Sequence, residues 1–269
     1  MTRSYRSFMA LLAIVGALLA GCASTVTAPS AQVRQILAPS GKLRVGLYPG
    51  SPTSIIGDPA SGQARGVGFD LGGELARRLG VPFEPVVFPK NAEVLAAVKS
   101  GRVDVVFTNA TAARAKDMDF SQPFLDVEKG YLVPPGSTMT HDTDVDRAGS
   151  RVGVSQGSST ERELAGHFKQ ALMVRTPTLK AAVEMLAAGK LDAFATNKAI
   201  LYAMSDQLPG SRVLDGHWGL EHFAAAIPKG RDAAAAYVRQ FVADMRSEGR
   251  VTQAVQRVGL RGTVMPEAH

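Results

Sequence analysis

Short apolar runs alternate with segments of helical periodicity along most of this chain. Leucines at four-residue spacing over 71–79 predict an amphipathic helix, which we expect Asp70 to cap and Gly80 to end. A second helical pattern over 232–258 predicts one or two helices that pack back on the first part of the chain. Apolar runs of four or five residues predict buried strands, at 43–47, 85–88, 151–155 and 223–227. The alternation predicts an α/β fold.

One helix-turn-strand pattern occurs twice. The segment GRVDVVFTN at 101–109 returns as GKLDAFATN at 189–197, an offset of 88 residues. In each copy a glycine is placed to end a helix, and an apolar strand then ends in Thr-Asn. The repeat predicts two similar lobes, and because ligands bind beyond the carboxyl ends of such strands, we expect Asn109 and Asn197 to face each other across a cleft. The alternative is a common structural unit in which both asparagines are turn residues.

The amino terminus has the features of a secretory signal. Arg3 and Arg6 precede an apolar run over 8–20 that is short for a membrane span. The sequence LAGC at 19–22 resembles the lipobox of bacterial lipoproteins, which implies cleavage after residue 21 and acylation of Cys22, including palmitate. The alternative is an unmodified cysteine beside a signal-peptidase site.

Residues 22–37 are rich in Ala, Ser, Thr and Pro and predict a flexible tether between lipid and folded body. The protein is then expected on the periplasmic side of a bacterial membrane, attached only through its lipid. Removing residues 1–21 takes away two of 30 basic residues and none of 24 acidic ones, which leaves a net charge of +4. This mild charge, without a basic patch interleaved with aromatic residues, does not predict a nucleic-acid partner.

Cysteine and histidine patterns exclude other kinds of site. Cys22 is the only cysteine, so the chain has no intramolecular disulfide. The five histidines show no metal-ligand spacing, and the sequence contains neither a nucleophile elbow nor a phosphate-binding P-loop. We therefore expect neither a metal nor a cofactor.

Two segments that follow predicted strands carry candidates for an anion site. Thr111 is placed to cap a short helix whose first turn contains Arg114, and a guanidinium beside free backbone N–H groups suits a carboxylate. A surface ion pair of Arg114 with a nearby aspartate is the alternative. Further on, Ser158 and Glu161 form a capping box at a helix N-terminus, which attracts anions, and Ser159 is the freer hydroxyl.

Six motifs, read together, resemble those of a known family; they lie at 68–70, 101–104, 111–114, 119–124, 152–159 and 189–192. In their order and spacing the chain is similar to the family 3 extracellular solute-binding proteins, the receptors of polar amino acid ABC importers. The resemblance covers essentially residues 42–262 and implies a two-lobed type II periplasmic binding protein fold with hinge crossings near Asp126 and His222. The implied boundaries are 1–21 for the signal peptide, 22–37 for the lipidated cysteine and tether, 38–126 and 222–269 for the first lobe, and 127–221 for the second.

The same resemblance assigns roles to individual residues. Arg114 falls on the family's arginine for the ligand α-carboxylate, Asn109 on a residue whose backbone N–H assists it, and Ser159 on the hydroxyl residue that closes over the same group. The family's acid for the α-ammonium group falls at Asn197, which has no charge. We therefore expect Asn197→Asp to shift preference toward α-amino acids.

The aromatic residues that sandwich the ligand in the family fall here at Ser51, Ser54 and Asn91, which are small or polar. Replacement platforms are Tyr48, Phe88, Phe107 and Trp218, although such residues more often lie in the core. The predicted ligand-binding residues are Arg114, Asn109, Ser159, Asn197, Ser158, Ser51 and Phe107.

These features predict a monomeric, lipid-anchored binding protein that captures a small anionic or polar solute, amino acid-like or a carboxylate, for an ABC permease. Two alternatives use the same cleft. One is a solute-sensing lipoprotein without a transporter. The other is an enzyme similar to periplasmic cyclohexadienyl dehydratases, for which His217 and His222 are the candidate acids or bases.

Overall fold

The computed structural model describes residues 29–264, which contain eight α-helices and eleven strands. The helices are α1 (Ala31–Leu37), α2 (Val67–Leu79), α3 (Asn91–Lys99), α4 (Ser159–Leu164), α5 (Leu179–Ala187), α6 (Lys198–Ser205), α7 (Asp232–Ser247) and α8 (Arg250–Val258). The strands are β1 (Leu43–Leu47), β2 (Phe83–Val87), β3 (Val105–Asn109), β4 (Met118–Phe120), β5 (Leu125–Val133), β6 (Arg151–Ser155), β7 (Leu172–Thr176), β8 (Ala193–Asn197), β9 (Arg212–Val213), β10 (Gly219–Pro228) and β11 (Thr263–Val264).

The main path of the sheet runs β2-β1-β3-β10-β5-β8-β6-β7. At one end β1 is parallel to β2 and β3, and at the other β6 is parallel to β7 and β8. We call the part around β1 the first lobe and the part around β6 the second lobe. The antiparallel strands β5 and β10 lie between them and pair with strands of both. This two-lobed α/β architecture is the predicted one.

Three stretches of chain connect the lobes. The first two are β5 and β10, whose register places His222 opposite Asp126, where the sequence predicts the crossings. The third follows α8, because β11 pairs with β5 and Arg261 forms an ion pair with Asp206 just after α6. The residue boundaries of the lobes stay a prediction.

The repeated aspartate has the same structural role in both lobes. Asp104 accepts hydrogen bonds from the backbone N and the Nε of Arg44 at 2.9 Å each, and from its Nη2 at 2.6 Å. Asp192 accepts the equivalent bonds from Arg151 at 2.8, 2.9 and 2.8 Å. Each aspartate thereby fixes the start of a repeat strand to the first strand of its lobe. The aspartate of the repeat is therefore explained by a structural contact and not by ligand binding.

The predicted tether is too long at its carboxyl end. Ala31–Leu37 form α1, whose first turn is capped by Ser30, with Oγ accepting from the Val33 N–H at 3.1 Å. Val33 and Leu37 are buried one helical turn apart, and α1 packs against α7. The Ala- and Ser-rich composition concealed this apolar pair. The predicted signal peptide and Cys22 lie outside the described residues.

The prediction that Asp70 caps α2 is wrong. The helix begins one turn earlier, with Gly66 at its N-cap. A Cβ on Gly66 would lie 2.4 Å from the Ser54 carbonyl oxygen, so only glycine fits this approach. Asp70 instead pairs with Arg257 of α8. This contact helps to hold α8 on the first lobe, where 232–258 were expected to pack.

No helix within residues 29–264 combines the length and the apolar character that crossing a bilayer requires.

Candidate functional site

The two repeat strands end on opposite sides of one small cavity. Asn109 ends β3 and Asn197 ends β8, and both line a space of about 60 Å³ between the lobes. Asn109 reaches across the cleft, where its Nδ2 donates to the Ser159 hydroxyl at 3.1 Å. Asn197 Oδ1 accepts from the Ile200 N–H at 3.1 Å and so caps α6. The asparagines thus have structural bonds as well as a cleft position.

Arg114 lies beside this cavity in a 3₁₀ turn, where Thr111 Oγ1 accepts its backbone N–H at 3.2 Å. The side chain is only 7% exposed, and its Nη1 donates to Thr108 Oγ1 at 2.9 Å and to the Asn109 carbonyl oxygen at 2.8 Å. Its buried Nε has no hydrogen-bond partner within residues 29–264. Burial lowers the pKa of Arg114 to about 10, which leaves it protonated at neutral pH. Because the Arg114 side chain is buried and bonded to a hydroxyl and a carbonyl oxygen, the alternative of a surface ion pair is wrong.

The second lobe contributes the first turn of α4. Ser158 caps this helix as predicted, with Oγ accepting from the Glu161 N–H at 3.0 Å. The Glu161 carboxylate accepts from the Gly157 N–H at 2.6 Å rather than from Ser158, so only half of the predicted capping box forms. The Ser159 hydroxyl does not cap the helix. It donates to Glu221 Oε1 at 3.0 Å and accepts from Asn109 Nδ2. Both serines line the cavity. Ser159 is therefore the hydroxyl that contacts both sides of the cleft.

The remaining wall comes from the first lobe and contains Ser51 and Phe107. Ser51 Oγ lies 2.9 Å from Thr53 Oγ1, and the Phe107 ring packs edge-on against Phe124 at 6.0 Å. The structure thus brings all seven predicted residues to one cavity, together with Ser54, Asn91 and Tyr48. Their contact with a ligand stays a prediction.

Two of the proposed aromatic platforms lie elsewhere. Trp218 packs against Tyr131, and the Lys129 ammonium group lies 4.6 Å from the centre of its ring. Phe88 packs in the core and carries the Arg102 guanidinium 5.1 Å from its ring centre. Of the four proposed platforms, Tyr48 and Phe107 line the cavity, and so does Phe223.

Sequence reasoning missed Glu221. This residue lies on β10, is 6% exposed, and accepts from Asn197 Nδ2 at 2.8 Å in addition to Ser159. The signal was present, because a single acid stands two residues before the apolar run 223–227 of a predicted hinge strand. In this segment the sequence predicted candidate acids or bases at His217 and His222 instead.

Those histidines do not reach the cavity. His222 Nδ1 lies 2.8 Å from Asp126 Oδ1 and the ring is half exposed, on the face of β10 opposite Glu221. His217 is half exposed, and its Nδ1 lies 3.5 Å from Glu128. Neither lines the cavity, so neither is placed as an acid or base for a molecule bound there.

The cavity wall carries one cation and one anion. Among the described residues that line it, Arg114 and Glu221 are the only charged side chains. The charge of Glu221 acts against the lowering of the Arg114 pKa that burial causes. Within residues 29–264, no group of three or more His, Cys, Asp or Glu side chains is placed to hold a metal ion. The chemistry available is recognition by opposite charges and hydrogen bonds.

Comparison with known proteins identifies the family. Residues 43–259 match the family described as bacterial extracellular solute-binding proteins, family 3. The chain belongs to this family. The L-cystine-binding protein TcyJ of Escherichia coli (strain K12) is 30% identical over 220 residues, which cover 78% of this chain and 79% of that protein.

Solved structures show the same fold. The L-cysteine solute receptor of Neisseria gonorrhoeae aligns with a TM-score of 0.75 and 24% identity, over 84% of this chain and 92% of that one. The ancestral amino acid-binding protein AncCDT-1, a precursor of cyclohexadienyl dehydratase, aligns with a TM-score of 0.72 and 22% identity, over 83% and 98%. Membership in a family of binding proteins makes the chain a solute-binding protein rather than an enzyme.

The solute-binding protein is in a closed arrangement. A Cβ on Gly157 of the second lobe would lie 2.8 Å from the Ala92 Cβ of the first. Apolar contact continues across the cleft, since Tyr48 and Val94 of the first lobe share a cluster with Leu179 and Ile200 of the second. Closure therefore buries apolar surface as well as joining Asn109 to Ser159.

Proposed function

We propose that this protein captures a small carboxylate-bearing solute between its two lobes and delivers it to an ABC permease. One observation carries the proposal: the buried guanidinium of Arg114 faces the cavity without an ion-pair partner in the described part of the chain. A buried charge is costly unless an opposite charge compensates it. A bound carboxylate supplies that charge and fits the two-pronged geometry of the guanidinium.

The second lobe supports the same ligand group. Ser158 and Ser159 begin α4 and line the cavity opposite Arg114. A carboxylate held by Arg114 and Ser159 together binds the closed form better than the open one. Differential binding of this kind is what shifts an open-closed equilibrium toward closure.

Isothermal titration calorimetry with the twenty L-amino acids, L-cystine and simple carboxylates tests the proposal. We expect at least one carboxylate to bind to the protein from residue 29 onward after unfolding and refolding to remove any bound molecule. Binding only to solutes that lack a carboxylate would contradict the role given to Arg114.

Blocking closure gives a separate prediction. Ala92→Gln enlarges a side chain that packs against Gly157 of the other lobe, so it opposes closure. We expect the affinity for the tightest binder of that titration to fall about tenfold, because overpacking costs about 1–3 kcal/mol.

The matched control is Ala187→Gln, which changes an exposed alanine at the end of α5. We expect both variants to keep the thermal midpoint of the ligand-free protein. Equal affinities of the two variants would show that the contact between Ala92 and Gly157 does not limit binding.

Delivery to a permease is supported by the relatives. The chain is 24% identical over 207 residues to a protein named ABC transporter glutamine-binding protein. A receptor of this kind has to stay near its permease, and a lipid on Cys22 provides for that in our proposal. The apolar run and LAGC sequence before the described residues support it.

Replacing Cys22 by serine is expected to release the protein from membranes. A single acylated cysteine is the proposed attachment, so its loss leaves no anchor. Membrane fractionation of bacteria that express each form measures this, and mass spectrometry of the native form should show a diacylglyceryl group. A Cys22→Ser variant that stays in the membrane fraction argues against lipid anchoring.

A further inference from the structure

Two buried charges face the cavity, and neither has an ion-pair partner within residues 29–264. Arg114 is 7% exposed and Glu221 is 6% exposed. The hydrogen-bond partners of Arg114 are a hydroxyl and a carbonyl oxygen, and those of Glu221 are a hydroxyl and an amide. These neutral partners leave each charge without a direct ion pair, although Arg114 and Glu221 attract each other from the same cavity wall. Such a pair is matched by a ligand with an anionic and a cationic group.

Glu221 also lies beside the residue to which the resemblance assigns the α-ammonium group. Asn197 stands at the position where the resemblance places an acid, and its Nδ2 donates to Glu221 Oε2 at 2.8 Å. The carboxylate missing from β8 is therefore present next to it, carried by the hinge strand β10.

We propose that Glu221 binds the ammonium group of the solute, so that this protein selects a zwitterion whose carboxylate is held by Arg114. This rests on the proposed function, since it assumes that the same cavity is the binding site. The acid has moved from the end of β8 to β10, and Asn197 orients it.

The hydrogen bonds of Glu221 orient its carboxylate in the cavity wall. Ser159 and Asn197 each have a further bond, Ser159 to Asn109 and Asn197 to the Ile200 N–H. A glutamine at 221 would still accept one hydrogen bond through its carbonyl oxygen. The native carboxylate accepts from both Ser159 and Asn197, and its buried negative charge favours a cation in the cavity.

This proposal reverses the expectation for Asn197→Asp. When Glu221 is unchanged, the carboxylate introduced at position 197 would lie within 3 Å of the Glu221 carboxylate. It would replace the amide Nδ2 that now donates to Glu221 at 2.8 Å. Two carboxylates at that distance repel each other, and one of them takes up a proton. We expect the single variant to bind amino acids more weakly than the native protein.

The test compares four proteins: native, Glu221→Gln, Asn197→Asp, and the double variant. Each is titrated calorimetrically with the twenty L-amino acids and L-cystine, and then with the 2-hydroxy acid that matches the tightest amino acid. In the native protein we expect the amino acid to bind at least about 30-fold more tightly than its hydroxy acid. Glu221→Gln should lose at least about 30-fold for the amino acid and keep its affinity for the hydroxy acid.

The double variant provides the rescue. It returns the acid to position 197, where aspartate still caps α6, and places a neutral amide at 221. We expect it to recover amino acid affinity to within about tenfold of the native protein. If Glu221→Gln fails to fold, the native comparison of amino and hydroxy acid decides alone.

Three results would overturn the proposal: unchanged amino acid affinity in a folded Glu221→Gln protein, equal native affinity for amino and hydroxy acid, or binding to no amino acid. If carboxylates without an ammonium group still bind and depend on Arg114, the proposed function survives and only the role of Glu221 fails. If no carboxylate binds, both fail.

Discussion

Replacing Arg114 by glutamine is expected to abolish high-affinity binding of carboxylates. The substitution removes one partner of a buried charge pair and leaves the bound carboxylate facing neutral groups. Losses of this kind cost about 2–5 kcal/mol, which is a decrease in affinity of about 30-fold to several thousandfold. Calorimetric titration with the tightest-binding L-amino acid measures it.

The ligand-free protein should tolerate this change. Glutamine keeps an N–H donor near Thr108 and removes a charge whose burial is costly. We expect the thermal midpoint to change by less than about 4 °C, which corresponds to about 1 kcal/mol in a protein of this size. The control is Arg77→Gln, which alters an exposed arginine paired with Glu74. Equal affinity of the two variants would remove Arg114 from the site.

The repeated aspartates give a matched pair of stability predictions. The Asp104 side chain is completely buried, whereas that of Asp192 is 34% exposed, although both make the same three bonds to an arginine. Asp104→Ala is expected to destabilise the protein by about 3–5 kcal/mol, because it leaves a backbone N–H and a guanidinium without their buried partner. Asp192→Ala should cost about 1 kcal/mol, since water reaches the same groups.

Urea unfolding followed by circular dichroism measures both aspartate variants. The difference between them is the informative quantity, because both aspartates accept the same three bonds from an arginine. If Asp192→Ala destabilises the protein as much as Asp104→Ala, burial does not set the energy of these contacts.

Periodicity and motif order were sufficient to predict the fold. The spacing at 71–79, the apolar runs and the repeat predicted α2, β1, β3, β6 and β8, because local pattern and tertiary structure agree in these elements. The cavity was predictable for the same reason. Each repeat strand is parallel to its neighbours in its own lobe, so the polar residues at its carboxyl end lie where ligands bind, and the two lobes bring these ends to opposite sides of one cavity.

The features that the sequence could not predict depend on contacts between residues that are far apart in the chain. Glu221 and Asn197 are 24 residues apart, and nothing local indicates that their side chains meet. Gly66 begins α2 because the chain near Ser54 passes against it, which no helix-capping pattern shows. The helix α1 is stabilised by packing on α7, almost 200 residues later.

These contacts suggest how capture and closure are linked. Asn109 of the first lobe, Ser159 of the second and Glu221 of the hinge strand form one connected set of hydrogen bonds. A solute that replaces part of this set contacts both lobes and a connecting strand at once. In our proposal its charges compensate Arg114 and Glu221 in the closed form, which lowers the free energy of closure.

Native mass spectrometry of the protein as purified tests the central claim most directly. The account predicts a bound small molecule that carries a carboxylate, is released chemically unchanged on unfolding, and is absent from the Arg114→Gln protein. A bound molecule without a carboxylate, its retention by Arg114→Gln, or release of a chemically converted product would contradict the account.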